Sequence, residues 1–242
     1  MTRLSVNINK FATLRNARGG NNPDLVKSAV DCEHLGAQGI TVHPRPDERH
    51  IRYDDVLALS EVITTEFNIE GYPDKRYMEL VHKVKPTQAT LVPDAPNVLT
   101  SNAGWDTMKH RSMLVDRIAE LKESGVRTSI FVDPNEKMIE GAAETGTNRI
   151  ELYTESYASN FLKNKEAAIL PFKLAAARAL ALDIEINAGH DLDRHNLTYF
   201  ISEIPETEEV SIGHALICDA IYLGLENTIQ LYLKCLKQAQ ND

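Results

Sequence analysis

Short β-branched apolar runs alternate with longer stretches of helical period along the whole of this chain. Eight runs predict strands: "RLSVNIN", "GITVH", "FNIEG", "ATLVP", "TSIFV", "RIELY", "IEINAG" and "EVSIG". Between them, "NPDLVKSAVDCEHLG", "YDDVLALSEVITTEF", "DTMKHRSMLVDRIAELKESG", "NEKMIEGAAETG" and "KEAAILPFKLAAARALA" predict helices, several closing on a glycine suited to a left-handed cap. The unit helix, Gly, strand recurs at "HLGAQGITVH", "ESGVRTSIFVD" and "ETGTNRIELY". No Pro/Gly/Ser linker divides the chain, so residues 1–242 are expected to form one domain. Such alternation calls for parallel strands with right-handed crossovers. Eight units in this length predict an α/β chain closed into a (β/α)8 barrel rather than an open sheet.

Polar residues gather near the C-terminal ends of the predicted strands: Asn7 and Asn9, His43, Glu70, Asp133, Glu151, Asn187 with His190, and Gly213 with His214. In a barrel these ends converge on one face, where active sites are built. Polar residues also simply mark strand ends. That reading explains Glu70 and Glu151 less well, because both lie between apolar neighbours, where an unpaired buried carboxylate costs several kcal/mol.

Composition narrows the partners. The chain is 43% hydrophobic with a formal net charge of −9, which disfavours nucleic acid or an anionic membrane as a partner, so any anion must be bound by a local site. No apolar stretch approaches the roughly 20 residues that span a bilayer, and the N-terminus lacks a signal-peptide core. Cys32, Cys218 and Cys235 are widely spaced, without a CxxC or a disulfide framework, and point to a reducing cytoplasm.

Three clusters carry candidate chemistry. "GITVHPRPDERHI" places Arg45, Arg49 and His50 in the loop after strand two, where guanidinium forks and an imidazole suit a phosphate and two prolines stiffen the loop; the alternative is a solvated charged turn. "NAGHDLDRHN" follows strand seven. Its Asp191, Asp193 and His195 invite a metal reading, but no familiar zinc pattern is matched, the aspartates equally suit a turn and a helix cap, and no metal is expected. "EVSIGHALICDAIYLG" sets Gly213 and His214 at a helix start, where backbone N–H groups and the dipole favour an anion. With the arginine loop across the mouth, it predicts two phosphate sites on one face. His43, Glu70, Glu151 and His190 would stand between them, a set suited to repeated proton transfers. A metal-dependent aldolase or epimerase on a sugar phosphate and a non-catalytic phosphate-binding regulator are the rival readings.

The motifs "VNIN", "ATLRNARGG", "GITVHPRPDERHI", "NIEGYP", "LVPD", "IELYT", "INAGHDL" and "SIGHALI" resemble, in order and spacing, the pyridoxine 5′-phosphate synthase family of deoxyxylulose-phosphate-dependent vitamin B6 biosynthesis. The resemblance runs from the first strand to the last helix. It implies a (β/α)8 TIM barrel with additional helices, a homo-octamer and no cofactor. It also implies condensation of 3-amino-1-hydroxyacetone 1-phosphate with 1-deoxy-D-xylulose 5-phosphate to pyridoxine 5′-phosphate, phosphate and water. The family's acid/base residues fall on His43, Glu70 and His190, with Glu151 as a supporting carboxylate. Its substrate contacts fall on Asn7, Asn9, Lys10, Arg18, Arg45, His50, Thr100, Asp191, Gly213 and His214. "PDAPNVLTSNAGW" corresponds to a loop that closes over the substrates.

Two positions depart from the family. Where it commonly reads Asn-Ile-Asp-His, this chain has Asn7-Ile8-Asn9-Lys10, an amide for a carboxylate and a permanent cation for an imidazole. Asp191 stands where glycine is expected after the catalytic histidine, and its charge would repel a phosphate unless the side chain turns away.

Overall fold

The computed structural model describes residues 1–94 and 103–239. The eight predicted strands are all present: β1 (Arg3–Asn7), β2 (Gly39–Val42), β3 (Glu66–Gly71), β4 (Gln88–Leu91), β5 (Arg127–Val132), β6 (Arg149–Tyr153), β7 (Glu185–Gly189) and β8 (Thr207–Ile212). They pair in sequence order, all parallel, and β8 closes onto β1 through Arg3 opposite Glu209 and Val6 opposite Ile212. Around the barrel lie α1 (Asn9–Asn16), α2 (Leu25–His34), α3 (Tyr53–Ser60), α4 (Lys75–Val84), α5 (Arg111–Glu123) and α6 (Glu136–Glu144). They are followed by α7 (Glu155–Phe161), α8 (Lys165–Leu180), α9 (Leu197–Glu203), α10 (His214–Leu223) and α11 (Leu225–Ala239). Helices are doubled after β1, β6 and β8, which accounts for the additional helices of this barrel.

The local signals act where the residues predict. Asp24, Asp74 and Asn164 accept hydrogen bonds from the backbone N–H three residues on and so start α2, α4 and α8. Gly36, Gly125 and Gly146 take positive φ between helix and strand. Two helices are shorter than their periodicity predicts: "DTMKHRSMLVDRIAELKESG" becomes helical only from Arg111 to Glu123. The stretch "YDDVLALSEVITTEF" leaves the helix after Ser60, because a β-branched run follows and Glu33 Oε1 captures the backbone N–H groups of Thr64 at 2.9 Å and Thr65 at 2.7 Å.

The barrel interior is polar. Along each strand, residues of one parity (Leu4 and Val6, Ile40 and Val42, Ile150 and Leu152, Val210 and Ile212) are fully buried beneath the helices and form the hydrophobic core. The other parity meets inside the barrel, where Ser5 Oγ lies 2.8 Å from Thr41 Oγ1 and the Thr90 hydroxyl donates to Asn68 Oδ1 at 2.9 Å. At the N-terminal rim the same parity forms ion pairs: Arg3 with Glu66 at 2.5 Å, Arg127 with Glu66, and Arg149 with Glu185 at 2.5 Å. This rim closes one end of the barrel and leaves the C-terminal end for chemistry.

Among the described residues no helix is long and apolar enough to cross a membrane. All three cysteines are free thiols, Cys32 buried and Cys218 exposed.

Candidate active site

A cavity of about 620 Å³ opens at the C-terminal ends of the strands. Its walls include Asn7, Asn9, Lys10, His43, Arg45 and His50 from the β1 and β2 side. Glu70, Glu151, His190, Asp191, Gly213 and His214 also line it, from β3, β6, β7 and β8. Residues up to two hundred positions apart thus become neighbours because each ends or follows a strand. Two predicted contacts stand apart. Arg18 is exposed in the turn after α1 and does not line the cavity; the buried arginine of this segment is Arg15, which pairs with Asp55 at 2.6 Å and ties α1 to α3. Thr100 and most of the expected closing loop lie outside the described residues.

His43 and Glu70 form the centre. His43 Nδ1 lies 3.8 Å from Glu70 Oε2, and both side chains are nearly excluded from solvent. Burial pushes the His43 pKa well below the usual imidazole range, and the nearby Arg45, His50 and Arg49 add to this. Burial pushes Glu70 well above the usual carboxylate range, and Glu151 and Asp94 reinforce it. Both shifts favour the uncharged forms, a carboxylic acid beside a neutral imidazole. Glu151 is pushed up to about 8, by burial and then by Glu209 deeper in the barrel, so its protonated form is favoured too. Burial thus disfavours negative charge on the carboxyl groups of the cavity floor, which lessens their repulsion of a phosphate.

Backbone contacts fix these positions. Asn9 Oδ1 accepts the His43 N–H at 2.9 Å, so Asn9 braces the end of β2, a task an amide performs as well as a carboxylate. Gly189 is required by close approach, since a Cβ there would overlap Glu151 Oε1.

The anion-favouring groups lie on one side. The predicted arrangement sets the arginine loop and the Gly213–His214 helix start across the mouth from each other; in the ring, β2 and β8 instead flank β1, and Lys10 sits between them. Arg45 is buried and pairs with Asp94 at 2.5 Å. Asp94, which residue-level reading did not single out, carries the same signal as the others, a carboxylate just past a strand end in "LVPD". His50 is neutral rather than cationic: burial, then Arg45, Lys10 and Arg49, lower its pKa to about 4, and its Nδ1 accepts the Ile51 N–H at 2.9 Å. That leaves Nε2–H as a donor into the cavity.

After β7, His190 takes φ 93°, a left-handed conformation that costs about 1–3 kcal/mol for a residue with a Cβ. Its ring stands edge-on to Tyr153, centroids 5.1 Å apart, and its Nδ1 lies 2.6 Å from Asp191 Oδ2. In "HDLDRH", Asp193 uses Oδ1 to accept the backbone N–H groups of His195 at 2.8 Å and Asn196 at 3.0 Å, which makes it a turn residue. Among the described residues no three His, Cys, Asp or Glu side chains converge as a metal cluster.

Comparisons with known proteins fit this geometry. The family model "Pyridoxal phosphate biosynthesis protein PdxJ" matches residues 4–238. A pyridoxine 5'-phosphate synthase of Cytophaga hutchinsonii is 63% identical over 238 residues, covering 98% of this chain and 100% of the relative. Others, from Christiangramia forsetii and Phocaeicola vulgatus, are 61% and 60% identical, each over 98% of this chain and 100% of the relative. Among solved structures, tryptophan synthase from M. tuberculosis superposes with a TM-score of 0.62 at 14% identity, covering 98% of this chain and 93% of that one, a likeness of fold alone. Matched by the family model and by such relatives over nearly its full length, the chain belongs to the PdxJ family of pyridoxal phosphate biosynthesis proteins.

Proposed function

We propose that the protein is a pyridoxine 5′-phosphate synthase, condensing 3-amino-1-hydroxyacetone 1-phosphate with 1-deoxy-D-xylulose 5-phosphate into the pyridine ring of pyridoxine 5′-phosphate. Inorganic phosphate and water are released. The observation that carries this reading is the buried Glu70–His43 pair, 3.8 Å apart, on the floor of a cavity whose β8–β1–β2 side supplies donors for phosphate. Joining an amine to a ketone, losing water and phosphate and closing a ring demands repeated proton transfer in both directions. A neutral carboxyl gives protons, and a neutral imidazole takes them. His190 is the proposed donor to the departing phosphate, and Glu151 supports Glu70 by sharing its desolvated setting.

Arg45, His50, Lys10, Asn7, Gly213 and His214 are the proposed substrate contacts. Asn9 acts through the end of β2. At about 620 Å³ the cavity lies within the ~300–1,000 Å³ of typical ligand sites and accommodates two small substrates. Phosphate recognition is tested at Arg45. Changing it to alanine would take the guanidinium away from the buried Asp94, so Arg45→Lys is the cleaner variant: it keeps the charge and loses the planar fork. The expected result is a KM raised about tenfold for one substrate, the equivalent of ~1.4 kcal/mol, and less than about threefold for the other, read from steady-state kinetics. Equal small effects would return the loop to an ordinary charged turn.

The same reading includes a cytoplasmic location and a homo-octamer. Ile221 and Tyr222, 73% and 88% exposed near the C-terminal end of α10, are apolar side chains that an assembly would cover. Light scattering is expected to give eight times the mass of the chain; a monomer at working concentration contradicts this part.

A further inference from the structure

We propose that Asp191 is the positioning residue of His190, holding the imidazole by its Nδ1–H so that Nε2 is the nitrogen that exchanges protons in the cavity. The catalytic half of this inference rests on the reaction proposed above. The structural half stands on its own geometry.

An ionised carboxylate only accepts hydrogen bonds, so the 2.6 Å contact from Asp191 Oδ2 to His190 Nδ1 assigns the proton to Nδ1. The contact is between adjacent residues, and the backbone is bent to make it. His190 holds φ 93°. The turn is stapled by one buried hydroxyl: Thr154 Oγ1 donates to Gly189 O at 2.7 Å and accepts the Asp191 N–H at 3.2 Å. The backbone N–H of His190 itself donates to Ser211 O at 3.4 Å. Tyr153 then limits rotation of the ring from its edge.

The N–H and one carboxylate oxygen of Asp191 are therefore engaged inside the protein. Its N–H is committed to Thr154 and its Oδ2 to His190, so one carboxylate oxygen faces the imidazole while the side chain, a third exposed, still lines the cavity. The cavity histidines His43, His50 and His190 are wired differently as a result. His50 accepts a backbone N–H and presents a donor, and His43 is buried beside the Glu70 carboxyl at 3.8 Å. His190 alone of the three has a hydrogen-bonded carboxylate behind it, the arrangement that fixes one tautomer and stabilises the cation formed when a histidine takes a proton.

The test has two arms on the intact protein. Magic-angle-spinning ¹⁵N spectra of histidine-labelled protein, with the His190 signal assigned by its loss in His190→Gln, are expected to show Nδ1 carrying the proton. In Asp191→Gly and Asp191→Asn the signal should move toward the Nε2–H tautomer; an unchanged tautomer in both variants overturns the proposal. In kinetics, both variants should lose about ten- to a hundredfold in kcat with each KM within about threefold, and Asp191→Glu should recover part of the loss. Unchanged kcat with a lowered KM would mean that the carboxylate merely repels substrate, and unchanged kcat with a KM raised tenfold would make it a substrate contact. Either overturns the positioning role. If the unaltered protein forms no product, the proposed reaction fails, while the tautomer still decides whether Asp191 holds His190.

Discussion

Glu70→Gln is expected to lower turnover by about a hundredfold or more with little change in either KM and no loss of folded protein. The variant isolates one property. Burial favours the protonated Glu70 carboxyl, which the amide matches in shape and charge while being unable to give up or recover a proton. Steady-state kinetics beside a thermal melt checks the expectation. Turnover near that of the unaltered protein would remove Glu70 from the chemistry.

The second large effect is on stability, and it has the opposite sign. Glu151 is raised in the folded protein from 4.5 to about 8 by burial and then by Glu209. Below pH 4.5 the group is protonated folded or unfolded and does not oppose folding. As pH rises toward 8, the unfolded chain ionises while the folded one does not, and stability falls by about 1.4 kcal/mol per pH unit. By pH 7 the loss is roughly 3 kcal/mol. Glu151→Gln escapes it, so its melting temperature should exceed that of the unaltered protein by about 6 °C or more near pH 8, with the gap closing as pH approaches 4.5. Turnover should fall in the same variant, the usual exchange of stability for function at a catalytic floor. A gap independent of pH would mean that Glu151 is ionised in the folded state.

The barrel and the strand-end residues were legible because both depend on local pattern. The helix, Gly, strand unit needs only a few residues to act, and parallel closure brings His43, Glu70, Glu151 and His190 together whatever the details of packing. The polar barrel interior was equally present in the alternation of Ser5 and Asn7, Thr41 and His43, Asn68 and Glu70, yet apolar periodicity alone draws attention to the helix-facing residues. Other features depend on contacts between distant segments, which spacing does not encode. Asp94 acquires its meaning from Arg45 on another strand end. His50 loses its charge through burial under neighbouring cations. Arg18 is separated from the cavity because Arg15, a turn earlier, takes the buried pairing with Asp55. At Asp191 the resemblance leads one to expect glycine, and only the fold of the turn shows that a carboxylate oxygen there faces His190.

The most direct measurement is a ³¹P NMR time course with both phosphorylated substrates and protein cleared of metal by chelation. The account predicts that pyridoxine 5′-phosphate and inorganic phosphate grow together in equal amounts, that neither forms when one substrate is omitted, and that both slow together in Glu70→Gln. Alteration of a single substrate on its own, loss of all activity on chelation, or binding without any product would contradict it.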